Sequence, residues 1–183
     1  MKSIVVLAAL LASLSLCACA GRPQLSTVPS VDLRRYSGRW FEIARYPNWF
    51  QRSCQGNAIA QYTPLGQGSI KVANSCPRAD GSMKTITGRA TVVPGSGNAR
   101  LKVRFFGPFS GDYWIIGLDE KSYSWVLVGH PSRRFLWILS REPRMSEDLY
   151  AKIVGIAVSK GYSAERIIRP SLRSAPEWDP LTY

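Results

Sequence analysis

One histidine, four cysteines and twelve carboxylate side chains are all that this 183-residue chain offers for acid–base, nucleophilic or metal chemistry. A hydrolytic triad or a Cys–His pair needs a base beside its nucleophile, and that base would have to be His130. It stands between Gly129 and Pro131 in turn-forming sequence, where an imidazole is ordinarily just solvated. Glu42 and Asp119 are the carboxylates set inside strong patterns. No cluster has metal-ligand spacing, and no glycine-rich strand-to-helix loop could cradle phosphate. The sequence therefore assigns no catalytic residue, no cofactor and no metal, and nothing in it argues for an enzyme.

The cysteines point elsewhere. Lys2 precedes an apolar run, Ile4 to Leu16, that is too short to span a bilayer as a helix and reads as the core of an export signal, residues 1–18. Two cleavage sites compete after it. Ala18-x-Ala20 suits ordinary signal peptidase and a soluble periplasmic product. Leu16-Cys17-Ala18-Cys19 matches a lipobox, with Cys19 lipid-modified at the new N-terminus. A cysteine at the boundary favours the second, and Ala20 after it favours the outer membrane. Several acyl chains would anchor the protein firmly, where one binds only marginally. Export makes nucleic acid an unsuitable partner, although the chain carries 24 Lys and Arg against 12 Asp and Glu; that surplus suits anionic lipid or acidic partners instead. In an oxidising compartment Cys54 and Cys76 can pair.

The elements that hold these residues are read from periodicity. A hydrophobic content of 45% with 20% charge is that of a globular domain and excludes disorder. Residues 19–31 read as a tether. Strand-like runs follow at about 38–46, 54–63, 69–76, 84–93, 100–106, 112–119, 122–129 and 135–141, separated by Gly, Pro, Asn and Asp. Eight strands with short connections make an antiparallel up-and-down barrel or a sandwich. A helix follows, with Ser146 as N-cap, Glu147 and Asp148 in its first turn and Lys160-Gly161 as its stop. Its apolar stripe, including Leu149, Ile153 and Ala157, places it outside the sheet. From Ile167 the tail carries three prolines and wraps the surface.

A hairpin centred on Leu65 sets Tyr62 opposite Gly68, Ala60 opposite Ile70, Ala58 opposite Val72, Gly56 opposite Asn74 and Cys54 opposite Cys76. Opposed Cβ atoms in an antiparallel pair come near bridging range, which favours a disulfide over two free thiols. One face then carries Ala58, Ala60, Tyr62, Ile70, Val72 and Asn74.

Three blocks carry a resemblance: "GRWFEIARYPNWFQ" from Gly38, "LKVRFFGPFSGDYWIIGLD" from Leu101, and "LWILSREP" from Leu136 with the helix after it. Over residues 32–168 the chain resembles the lipocalins, and more narrowly the bacterial outer-membrane lipocalins of apolipoprotein D type. The middle block departs from the family's Thr-Asp-Tyr pattern, reading Leu118-Asp119-Glu120. The resemblance implies an all-β, eight-stranded antiparallel up-and-down barrel, open at one end, with one C-terminal α-helix packed outside; residues 169–183 form a tail. It implies a floor made by Trp40 under Arg141, a structural cation–π pair.

With Arg141 inward, alternation turns Leu139, Trp137 and Phe135 inward too, and Lys102 and Arg104 in water leave Leu101, Val103 and Phe105 inside. The expected ligand-binding wall is Ala58, Ala60, Tyr62, Val72, Asn74, Val103, Phe105, Tyr113, Trp137 and Leu139. The small residues Gly56, Ala58 and Ala60 leave it under-filled. Phe105 to Phe109 form a rim whose rings fold inward, line the mouth or meet a second copy. The expected function is a membrane-anchored carrier of a small hydrophobic ligand, a fatty acid or lysophospholipid, with a homodimer as a further partner. The alternatives are a transmembrane outer-membrane barrel and a lipocalin-fold enzyme.

Overall fold

In the computed structural model, which describes residues 23–56 and 58–170, the alternating runs become eight strands. They are β1 (Gly38–Arg45), β2 (Ile59–Gly66), β3 (Ser69–Pro77), β4 (Met83–Val92), β5 (Arg100–Arg104), β6 (Gly111–Leu118), β7 (Trp125–Gly129) and β8 (Leu136–Ser140). Every neighbour pair is antiparallel, and β8 closes on β1 to complete the barrel. Export signal, Cys17, Cys19 and the tail after Pro170 lie outside the described residues.

Period-two alternation divides the apolar residues between two cores. Trp40, Tyr62, Ile70, Val72, Leu101, Ile115, Val126, Val128 and Leu139 face the interior. Trp114, Ile116, Leu127, Leu136 and Ile138 face outward, where α2 (Glu147–Ser159) covers them with Ile153 and Ala157. Ser146 caps that helix by accepting from the Leu149 amide, as expected. Away from the helix, β3, β4 and β5 present Lys71, Arg89, Lys102 and Arg104 to solvent. A lipid-facing strand carries an apolar band instead.

Three expectations are corrected. The β2–β3 register pairs Tyr62 with Val72, Ala60 with Asn74 and Pro64 with Ile70, not with the partners a turn at Leu65 gives. The turn is Gln67-Gly68, both at positive φ, the geometry that matches strand twist in a two-residue hairpin. Pro64 lies inside β2, beyond the last β1 partner at Tyr62, where β3 alone runs beside it. Second, β2 begins at Ile59, so Cys54 and Gly56 lie in the loop before it. Cys54 still bonds Cys76, with Cα atoms 5.5 Å apart, but from a loop and not as a cross-strand pair. Third, the expected tether is packed from Leu25 on. Leu25, Val28 and Val31 are buried, and the Val28 and Val31 amides donate to Ile115 and Gly97 carbonyls. Three apolar residues three apart among prolines gave no recognisable period.

The segment runs into α1 (Leu33–Tyr36), a single turn capped by Asp32, whose carboxylate accepts from the Arg34 and Arg35 amides. Gly38, at φ +94°, then turns the chain into β1; a Cβ there would sit 3.4 Å from Arg141 Nη1. This closes the barrel floor.

Candidate functional site

Arg141 reaches the floor from just after β8. Its guanidinium carbon lies 3.8 Å from the Trp40 ring centroid. Its nitrogens donate to the carbonyls of Arg35 and Arg39 at 2.6 Å, Ser37 at 2.9 Å and Tyr123 at 3.3 Å. One side chain thus ties α1, β1 and the β6–β7 turn together. Trp40, fully buried, donates its indole N–H to the Tyr36 carbonyl at 2.8 Å. The expected floor pair is in place.

Above it lies a cavity of about 1030 Å³, and all ten expected wall residues line it: Ala58, Ala60, Tyr62, Val72, Asn74, Val103, Phe105, Tyr113, Trp137 and Leu139. Cavities of about 300–1,000 Å³ hold drug-sized ligands. Gly56 takes no part in the wall. Phe105 turns inward across Gly88, where a Cβ would meet the Arg104 carbonyl oxygen at 2.4 Å and the Phe105 ring at 2.7 Å; only glycine fits.

Three phenols span the deep end. The Tyr113 hydroxyl meets that of Tyr36 at 2.6 Å and that of Tyr62 at 2.9 Å. Since β2 and β6 are four strands apart in a closed barrel of eight, the Tyr62–Tyr113 contact crosses the interior. Three hydroxyl protons serve two mutual bonds, so one remains to donate into the cavity. Burial pushes the Tyr62 pKa up to about 12 and those of Tyr36 and Tyr113 well above the ordinary value. The bridge is neutral.

A second polar group lies nearer the mouth. A bulge between Glu42 and Ala44 shifts the β1 register, so Ile43 and Ala44 both join the outer core and Arg45 meets Glu42. Arg45 Nη1 donates to Glu42 Oε1, Gln51 Nε2 donates to Glu42 Oε2 at 2.7 Å, and Trp137 Nε1 donates to Gln51 Oε1 at 3.0 Å. Burial raises the Glu42 pKa; Arg45 and Gln51 oppose the rise. Asn74 Oδ1 and Arg45 Nε are buried without a partner among the described residues. An unpaired buried polar atom is costly and marks where a guest's polar atom would be welcome.

Around the opening stand exposed aromatics: Trp49 and Phe50 on a short turn capped by Asn48, and Phe106 and Phe109 of the rim. The rim therefore divides, with Phe105 inside and Phe106 and Phe109 in solvent, the latter 83% exposed. Arg78 and Lys84 also border the mouth. His130 sits there too, its Nδ1 accepting from the Ser132 amide at 3.1 Å and its Nε2 3.9 Å from Asp112 Oδ2. Burial lowers its pKa, Asp112 raises it, and Arg134 and Lys102 add to the fall. Asp119 shapes its turn by accepting from Ser122 and Ser124; those bonds outweigh desolvation and hold its pKa below the usual range. Among the described residues no three His, Cys, Asp or Glu side chains could hold a metal.

Sequence reasoning missed Tyr36, the Glu42–Arg45–Gln51 group and the Trp49–Phe50 edge. Asp32 before Leu33 is a capping signal that could have found α1. Nothing in the sequence announces the bulge.

Comparison with known proteins agrees with the barrel fold. The family model described as a lipocalin-like domain matches residues 31–171. The outer membrane lipoprotein Blc of Vibrio cholerae is 34% identical over 161 residues, covering 87% of this chain and 94% of its own. Temperature-induced lipocalin-1 of Arabidopsis thaliana is 35% identical over 171 residues, covering 85% and 91%. Among solved structures, insecticyanin from the tobacco hornworm Manduca sexta superposes with a TM-score of 0.67 at 21% identity, over 81% of this chain and 85% of its own.

Proposed function

The chain belongs to the lipocalin family, and from that premise we propose that it is an outer-membrane lipoprotein that carries a fatty acid or lysophospholipid in its barrel. The observation that carries this reading is the cavity itself: one-ended, about 1030 Å³, walled by aliphatic and aromatic side chains, with cations at its mouth. An acyl chain gains roughly 0.8 kcal/mol for each CH₂ it buries, so such walls bind without close shape matching. The ten wall residues are the proposed contacts, with Trp40 and Arg141 as structural floor. The cited relative's name as an outer membrane lipoprotein supports lipidation at Cys19 and residence at that membrane. Proteins of this family generally bind and transport.

Native mass spectrometry of the purified protein, with tryptophan fluorescence titration, tests the reading. Co-purified lipid, and a spectral shift on adding palmitate or lysophospholipid, are expected because Trp137 lines the cavity. Unshifted spectra up to the solubility limit, with no lipid in the mass spectrum, would overturn it. Phe106 and Phe109 face the membrane in this reading. A homodimer would cover them instead, and sedimentation of a Cys19→Ser protein separates the two.

A further inference from the structure

Trp49, Gln51, Arg52, Cys54 and Phe135 border the barrel cavity and also a second hollow, of about 680 Å³, at the flank of the mouth. The carrier reading makes no use of it. Four arginines line it, Arg45, Arg52, Arg134 and Arg166, and among the described residues no carboxylate does. Glu42 answers Arg45 from the barrel side, the Arg166 guanidinium stacks on the Tyr46 ring and Arg134 Nε donates to Ser132 Oγ, which leaves three cations around one hollow with no carboxylate in its lining. Like charges held together in this way raise the energy of the empty site and favour an anion that can join them.

Arg45 provides the independent observation. It is only 8% exposed, and its Nε has no partner among the described residues. It borders the hollow because the bulge after Glu42 re-aims it; bulges often re-aim a side chain beside a functional site. Arg52, Arg134 and Arg166 are by contrast exposed and can move to meet a guest. Guanidinium forks match the oxygens of phosphate and carboxylate better than any other side chain. The hollow's other walls include Trp49 and Phe135, whose rings also face the acyl cavity. An apolar chain on one side of these rings and an oxyanion on the other describe a single amphiphile.

We propose that this hollow is an oxyanion site that holds the phosphate or carboxylate head of an amphiphile whose chain lies in the barrel. The proposal rests on the carrier reading and narrows it: the ligand is anionic, not a neutral glyceride. A zwitterionic head finds its phosphate partner here but no carboxylate for its cation. Free phosphate shares the chemistry, and the test separates the two sources.

The full-length protein is titrated below micelle-forming concentrations with lysophosphatidylglycerol, lysophosphatidylcholine and monopalmitoylglycerol of equal chain length, and with inorganic phosphate alone. The anionic lipid is expected to bind at least tenfold more tightly than the neutral one at low salt. In an Arg52→Gln/Arg134→Gln/Arg166→Gln variant that gap should fall to within about twofold, through weaker binding of the anionic lipid. A Lys71→Gln/Arg89→Gln/Arg104→Gln variant, with the same loss of charge on the outer barrel face, should keep the gap. Phosphate that displaces the anionic head at millimolar concentration supports the site with the free ion as a source; a preference without displacement supports the lipid head. Equal affinities in the wild type, or a gap narrowed as much by the control variant, overturns the proposal. Failure of all three lipids to bind would instead overturn the carrier reading.

Discussion

Tyr113 carries both hydrogen bonds of the cross-barrel bridge on one hydroxyl, so Tyr113→Phe leaves Tyr36 and Tyr62 without their partner while the rings still fill their space. An unsatisfied buried hydroxyl costs about 1–3 kcal/mol, and a loss of about 2 kcal/mol is expected in urea denaturation. A change below about 0.5 kcal/mol, the size of a surface substitution, would show that the bridge holds nothing. Glu42 gives a prediction of a different kind. Its pKa is raised by burial, so between the ordinary carboxylate value and the raised one the folded protein binds more protons at this site than the unfolded chain. Its contribution to stability is full below the ordinary value and falls as pH climbs through the raised value. Glu42→Gln removes the titration. Denaturation midpoints measured from pH 4 to 7 should fall less steeply in the variant; an unchanged slope would place the titration elsewhere.

Elements were legible where one period ran unbroken. The capped helix, the strand order and the inward faces of β5 and β8 all follow from alternation or an apolar stripe. The β2–β3 register was not, because Pro64-Leu65-Gly66 resembles a turn more strongly than Gln67-Gly68, the turn that forms. Displacing the pairing by an even number preserves which residues face in, so Ala58, Ala60, Tyr62, Val72 and Asn74 line the cavity although their partners differ. The polar part of the site escaped for the opposite reason. A bulge breaks the parity that sequence reading relies on, and Arg45 reaches Glu42 only because of it. The Asn48–Cys54 loop brings Trp49, Gln51 and Arg52 to the mouth, and the Cys54–Cys76 bond anchors its end, closing a loop with a sequence separation of 22. A loop of that length restrains the unfolded chain by about 3 kcal/mol on the chain-entropy account. The Cys54→Ser/Cys76→Ser protein should lose about that much stability and also bind palmitate more weakly. Lost stability with unchanged affinity would show that the bond secures the fold but not the mouth.

At the scale of the whole molecule, basic side chains and exposed aromatic rings meet at the open end. The chain's formal net charge is +12, and the open end combines Arg52, Arg78 and Lys84 with the exposed rings of Trp49, Phe106 and Phe109. Basic residues near an anionic bilayer contribute about 1 kcal/mol each, within a Debye length of about 10 Å at 0.1 M salt, while aromatic rings favour the interface itself. A carrier that exchanges a lipid through one opening gains from presenting that opening to the membrane, since the chain then need not cross water. The Cys19→Ser protein, which lacks the proposed lipidation site, should therefore bind vesicles of phosphatidylcholine with phosphatidylglycerol and release from them as salt rises. It should ignore vesicles of phosphatidylcholine alone. Brominated lipid tails should quench Trp49, which is 71% exposed, and a Trp49→Phe variant should lose that part of the quenching. Phe106→Ser/Phe109→Ser should weaken binding several-fold without altering palmitate affinity in solution. Binding that is salt-sensitive but leaves Trp49 unquenched would mean that the basic outer face of β3 to β5 meets the bilayer, with the opening turned towards water.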